Sequence, residues 1–180
     1  MSSHFNIALY PKDPALAETL TALAARNLSG QTDQYLLGKH ALPHVSLGQF
    51  VGELVQAREV GSSLETLAPE PLGLQFSHIF IRPGLGKLHQ GKNWVGLAVV
   101  PTKALIDLQL TVYGRLRQMG IECSTDPDKY FPHLTFGRLA RACAITISAM
   151  PPADFWQVQH PFEISLGKSN QNGVFIERLY

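Results

Sequence analysis

Hydrophobic positions along the chain change period several times, and each change marks an element. Residues 5–10 form a short, nearly continuous apolar run, the pattern of a buried strand. Asp13 then precedes Pro14, an N-cap followed by the residue best suited to the first helical position. Leu16, Leu20, Leu23 and Ala24 recur at helical spacing and predict an amphipathic helix over 14–27. A second helix opens at Gly52 and Glu53, carries Ala57, Val60, Leu64 and Leu67 as its apolar stripe, and is stopped by Pro69 and Pro71. Loose alternation over 72–82 and a mostly apolar run over 94–100 predict two strands. Thr102 caps the clearest helix, with Leu105, Leu108, Val112, Leu116 and Met119 on its buried face and Gly120 at its end. Residues 141–160 mix alanines that suit a helix with Ile145, Thr146 and Ile147, which suit a strand. Residues 162–167 and 174–180 predict a closing hairpin whose turn ends in Asn172-Gly173.

One pattern occurs twice. Pro43-His44-Val45-Ser46-Leu47-Gly48-Gln49-Phe50 reads proline, histidine, apolar, hydroxyl, apolar, glycine, polar, apolar. Pro132-His133-Leu134-Thr135-Phe136-Gly137-Arg138-Leu139 reads the same way, 89 residues later. Side chains alternate faces along a strand, so His44 shares a face with Ser46, and His133 with Thr135. Each copy follows a predicted helix at a short remove. The order of elements predicts an α+β fold and a single domain over 1–180. It would be bilobal, with two pseudo-symmetric lobes of mainly antiparallel sheet, a helix packed on each, and an active-site cleft between them.

Composition narrows the function classes. The chain is 45% hydrophobic and 16% charged, which marks a folded globule. A net charge of +1 argues against a general nucleic-acid coat and leaves room for a local basic patch. Cys123 and Cys143 form neither a disulfide framework nor a metal signature. No apolar run approaches ~18 residues, so no membrane span is expected. No basic start followed by an apolar stretch is visible, and a cytoplasmic location is the default expectation. The segment Gly86-Lys87-Leu88-His89-Gln90-Gly91-Lys92-Asn93 nearly matches a phosphate-binding P-loop, but Asn93 replaces the required hydroxyl and a strand follows instead of a helix. It reads as a hairpin connection in which Lys87 and Lys92 could touch a nucleic-acid backbone. Zinc would need further ligands beside the two repeat histidines, and His40, His78, His89 and His160 show no ligand spacing, so no metal and no cofactor is expected.

The repeated polar face suits phosphodiester hydrolysis. Histidine titrates near neutral pH, so one imidazole can take a proton from water while another gives one to the leaving oxygen. Hydroxyls two residues on can donate to the charge that develops on the phosphate oxygens. His44 and His133 are therefore the candidate catalytic residues, and Ser46 and Thr135 the candidate substrate-binding hydroxyls. Arg138 lies three residues beyond Thr135, on the opposite face of an ideal strand, where a lobe-bridging role and a phosphate contact are both open. Tyr130 or Phe131 could stack on a base, and Tyr10, at the end of the first strand, could line the cleft. Trp94, Trp156 and Phe50 read as core.

The doubled His-apolar-Ser/Thr-apolar motif, spaced by half a chain, resembles the two-histidine phosphoesterase superfamily, which includes bacterial 2'-5' RNA ligase-like proteins and cyclic phosphodiesterases. The N-terminal strand and helix, and the closing residues Phe162-Glu163-Ile164 and Gly173-Val174-Phe175-Ile176, extend the resemblance over essentially the whole chain. It implies a bilobal fold with a central cleft. It also implies hydrolysis of 2',3'-cyclic phosphates or chemistry at 2'-5' RNA linkages, with a small cyclic-phosphate nucleotide or an RNA end as partner and no obligate protein partner. The family's catalytic set carries over to His44, Ser46, His133 and Thr135, with Ser46 standing where many members have threonine. His44 is taken as the acid and His133 as the base. A non-catalytic RNA- or nucleotide-binding module with the same cleft is the alternative.

Overall fold

The computed structural model describes residues 2–64, 67, 70–84, 89–140 and 145–180. In chain order the elements are β1 (Ser3–Pro11), α1 (Pro14–Leu28), β2 (Thr32–Leu36), β3 (Val45–Gly52), α2 (Leu54–Leu64), β4 (Leu72–Leu74), β5 (Phe76–Pro83), β6 (Asn93–Val99), α3 (Lys103–Gln118), β7 (His133–Leu139), β8 (His160–Ser169) and β9 (Phe175–Arg178). Short 3-10 turns lie at Pro127–Lys129 and Ala153–Trp156. The strands form one antiparallel sheet in the order β4-β8-β1-β3-β7-β6-β5, with β2 also on β7 and β9 also on β8. The fold is α+β, as the sequence predicts. No helix among the described residues is long and apolar enough to cross a membrane.

Local chemistry explains the element ends. Asp13 accepts from the Ala15 amide at 2.9 Å, Thr102 caps α3 by accepting from Leu105, and Gly120, at φ 69°, supplies the left-handed residue that ends α3. The predicted strand over 72–82 divides at Gln75, so that β4 pairs with β8 and β5 with β6. Residues 41–44 lie outside β3, and a short bridge joins Gly38 to Ala41. Residues 145–152 are neither helix nor strand, and the backbone at 148 and 149 has a side chain as its partner. The buried Asn27 of α1 accepts from the Ser148 and Ala149 amides at 2.9 Å each and donates to the Ala149 carbonyl at 2.8 Å. The helix stop at Pro69, together with Lys87 and Cys143, falls outside the described residues.

The two repeat copies are β3 and β7 with the residues just before them, and they are neighbours at the centre of the sheet. They pair in register at one place, Val45 opposite Leu134. These are the same position of the two copies, so a pseudo-two-fold axis passes between them. Beyond that pair the strands diverge and take the rest of the sheet with them. Each copy also carries a bulge at its fifth position. Against β1, the register steps from Ala8–Ser46 to Ile7–Gly48 and skips Leu47. Against β6, it steps from Gly96–Thr135 to Val95–Gly137 and skips Phe136. A bulge reverses the alternation beyond it.

The glycine after each bulge is where a helix comes close. A side chain at Gly48 would meet Val112 and Leu116 of α3, and one at Gly137 would meet Leu28 of α1. The helices are therefore exchanged. α1, which precedes the first copy, packs on β7, and α3, which precedes the second, packs on β3. This crossing ties the halves into one core around Leu47, Phe136, Leu20, Val112 and Leu116.

Gly96 tests the bulge. A β-carbon there would lie 2.1 Å from the Leu134 carbonyl oxygen and 2.9 Å from the Thr135 Cα. Gly96→Ala is expected to lower stability by more than ~2 kcal/mol in urea unfolding. Gly114→Ala is the control. It lies inside α3 with nothing within 4 Å of an added methyl, so it should raise stability by about 0.5–1 kcal/mol.

Candidate active site

The diverging halves enclose a cleft of about 640 Å³, and His44, Ser46, His133 and Thr135 all line it. Both histidines are held in the same way. His44 donates from Nδ1 to the Leu42 carbonyl at 2.8 Å, and His133 from Nδ1 to the Phe131 carbonyl at 2.7 Å. A carbonyl only accepts, so each ring carries its proton on Nδ1 and leaves the Nε2 lone pair for chemistry. The intervening prolines, Pro43 and Pro132, have no amide hydrogen and hold the preceding residue extended. Each ring also leans on an aromatic neighbour, His44 on Phe175 at 5.2 Å and His133 on Phe131 at 5.3 Å.

Burial dominates the electrostatics. It pushes the His44 imidazole down to about 4, with the nearby His133 adding to the effect and the carbonyls of Leu42 and Gly173 opposing it. Burial likewise lowers His133, helped by the charge of Arg82 and opposed by the Phe131 carbonyl. In both rings burial favours the neutral form over the charged one. The hydroxyls are oriented from behind. Ser46 Oγ accepts from Asn6 Nδ2 at 2.8 Å and from Gln49 Nε2 at 3.4 Å, which leaves its own hydrogen free to donate. Thr135 shares a side-chain hydrogen bond with Tyr35, whose hydroxyl burial holds in the protonated form.

The remaining candidates divide. Tyr130 lines the cleft and donates its hydroxyl to the Ser46 carbonyl at 2.9 Å, tying one copy to the other; burial pushes its phenol up. Phe131 lines the cleft as well, but its ring is already engaged by His133 and by the Arg82 guanidinium at 3.6 Å, so it buttresses the histidine. Tyr10 is not among the cleft residues. Arg178 lies over its ring at 4.6 Å, and Tyr10 pairs with Glu163 of β8. Arg138 is corrected in two respects. The bulge at Phe136 returns it to the Thr135 side of the sheet. It is also buried at 3% exposure, with its fork spent on Asp33, Nε to Oδ1 at 2.8 Å and Nη2 to Oδ2 at 3.2 Å, and on His89 Nδ1 at 2.9 Å.

Several lining residues have no signal in the repeat alone. Arg82 ends β5, and its charge reaches His133. Trp94, expected in the core, is half-buried and lines the cleft beside Tyr35 and His89. Asn6, wholly buried in β1, orients Ser46. Gln49 was accessible in principle, because it holds the same repeat position as Arg138. Lys92 forms an ion pair with Asp33. No group of three or more His, Cys, Asp or Glu side chains is gathered as a metal would require among the described residues.

No protein-family model matches the chain, and no curated protein matches its sequence. Among solved structures, the crystal structure of a phosphoesterase covers 99% of this chain and 96% of its own, at 16% identity and a TM-score of 0.64. The chain shares a phosphoesterase fold from end to end.

Proposed function

We propose that the protein is a phosphodiesterase that opens 2',3'-cyclic phosphates or acts on 2'-5' RNA linkages, by paired-histidine acid–base catalysis without a metal. The observation that carries this is the matched pair of imidazoles. Both are locked through Nδ1 to the carbonyl two residues back, both line one cleft, and each has a hydroxyl two residues on. The shared phosphoesterase fold agrees with it.

In the reaction, Nε2 of one histidine takes a proton from water as its oxygen bonds to phosphorus. Nε2–H of the other, an imidazolium, gives its proton to the departing sugar oxygen. The P–O ester bond breaks, and a phosphomonoester and a free hydroxyl remain. Ser46 and Thr135 donate to the equatorial oxygens, where negative charge grows. Arg82 adds a positive charge near His133. Because burial lowers both histidines, the acid's proton is retained only when the anionic substrate offsets that burial. This makes the substrate's charge part of how the site is primed.

Three outcomes test the mechanism. Turnover of nucleoside 2',3'-cyclic phosphates should survive EDTA, and His44→Ala and His133→Ala should each reduce kcat by about 10²–10⁴-fold. Ser46→Ala and Thr135→Ala should each cost on the order of 10²-fold; a loss of less than a few-fold would make them mere lining. Binding of cyclic phosphate or RNA without turnover would favour the binding-module alternative.

The third concerns pH. The productive free enzyme carries one proton on the pair. Both histidines are lowered from 6.5, so this state is populated on the acid side of that value and is lost as pH rises. The profile of kcat/KM should be bell-shaped with its maximum below pH 6.5. A kcat/KM that climbs between pH 6.5 and 8.5 would exclude the paired-histidine scheme.

A further inference from the structure

Beyond the two repeat histidines, a third histidine lines the cleft, and its surroundings define a second binding function. His89 lies just before β6, with its ring edge-on to Trp94 at 5.2 Å. Its Nδ1 lies 2.9 Å from Arg138 Nη1. A guanidinium has no acceptor, so it must donate, and Nδ1 must be the accepting nitrogen. This is the opposite tautomer to that of His44 and His133. The ring's one hydrogen therefore sits on Nε2, the only polar atom it has left for the cleft. Arg138 is itself fixed by its two bonds to Asp33, and Lys92 completes the cluster.

The cluster has an uneven charge. One carboxylate, Asp33, faces two cations, Arg138 and Lys92, so one positive charge is uncompensated among the described residues. These three are the charged groups that act on His89. Burial and the two cations hold it neutral, against the pull of Asp33. With Nδ1 occupied in accepting from Arg138, the ring offers Nε2–H as a donor, an arrangement suited to binding. The hydrogen bond from Arg138 draws electron density from the ring and strengthens Nε2–H as a donor to an anionic oxygen. Along β7, Arg138 is five positions from His133, one of them taken by the bulge, so the cluster lies roughly 13 Å of strand away from the reacting histidine.

We propose that this end of the cleft holds a second phosphate of the substrate, received by the Nε2–H of His89, with Arg138 and Asp33 as the positioning pair behind it. The proposal rests on the cleft being the substrate site argued above, and it narrows the substrate class to molecules with a phosphate besides the one that reacts. That phosphate could be a 5'-phosphate on the same nucleoside or the next linkage of an RNA chain, which present the same oxygens.

The test compares three substrates: a nucleoside 2',3'-cyclic phosphate, its 5'-phosphorylated form, and a dinucleotide ending in the cyclic phosphate. The protein should favour at least one of the two-phosphate substrates by about tenfold in kcat/KM, and which one identifies the source of the phosphate. His89→Ala should bring that ratio to about 1. His89→Gln, which keeps an N–H near the Nε2 position, should retain several-fold preference and shows that loss in the alanine variant is not misfolding. Equal kcat/KM for all three substrates, or a preference that survives His89→Ala, overturns the proposal. Calorimetric binding of nucleoside 3'-monophosphate and 3',5'-bisphosphate separates the two readings. A His89-dependent advantage for the bisphosphate without turnover of any substrate would remove the catalytic reading and leave this one standing.

Discussion

The architecture depends on one backbone pairing. Val45 and Leu134 meet at equivalent positions of the repeat, and the strands part beyond them. Had β3 and β7 paired along their length, the polar faces would lie flat on a continuous sheet and the histidines would look the same way. Pairing at a single position sets the two halves at an angle, so His44 and His133, each one residue from the axis, line the same cavity. The bulges at Leu47 and Phe136 make that angle possible, since bulged strands bend and twist more strongly. The exchange of α1 and α3 then locks it. Opening the cleft further would pull Leu28 from Gly137 and Val112 from Gly48, so the angle is set by the hydrophobic core and not by the groups in the cleft.

That rigidity explains how such buried imidazoles can be useful. A histidine at 6% exposure has little water to support a positive charge. Its orientation comes from backbone carbonyls, which stay fixed whatever the ring's protonation. In the proposed reaction the ring can therefore alternate between neutral and charged forms without turning, with the substrate's phosphate offsetting the cost of charging it. A more exposed histidine would hold its proton more readily but would also meet solvent and lose its aim.

The sequence made the chemistry legible because the chemistry is duplicated. Two copies of one eight-residue pattern gave the four polar residues, their shared faces and the expectation of an axis. The α+β class followed from periodicity and caps. What stayed hidden was long-range. The face of Arg138 could not be read, because one skipped residue reverses the alternation and only the partner strand shows which residue is skipped. Asn6, Asp33 and Arg82 are single polar residues with no pattern around them, and each acquires its role from a strand or loop distant in sequence. The stretch around residues 148 and 149 could not be assigned from propensity, because a distant side chain, Asn27, satisfies backbone groups there. Tyr10 lies near the end of its strand as expected, but the guanidinium over its ring belongs to Arg178, distant in sequence.

The differences between the halves carry as much meaning as the likeness. At the second and fourth positions the copies agree, imidazole and hydroxyl, and a symmetric pair suits a reaction in which one proton arrives as another leaves. An entirely symmetric cleft, however, would accept a phosphodiester in either direction, and the two histidines would exchange roles at random. The seventh position breaks the tie. Gln49 turns inward to Ser46 Oγ, while Arg138 reaches outward through Asp33 to Lys92 and directly to His89. Only the second half thereby gains a surplus positive charge and an additional donor. A substrate with charge on one side of its reacting phosphorus has a reason to lie one way round. In the proposed reaction that choice decides which histidine meets the water and which meets the leaving oxygen, so the assignment of acid and base follows from a residue that touches neither.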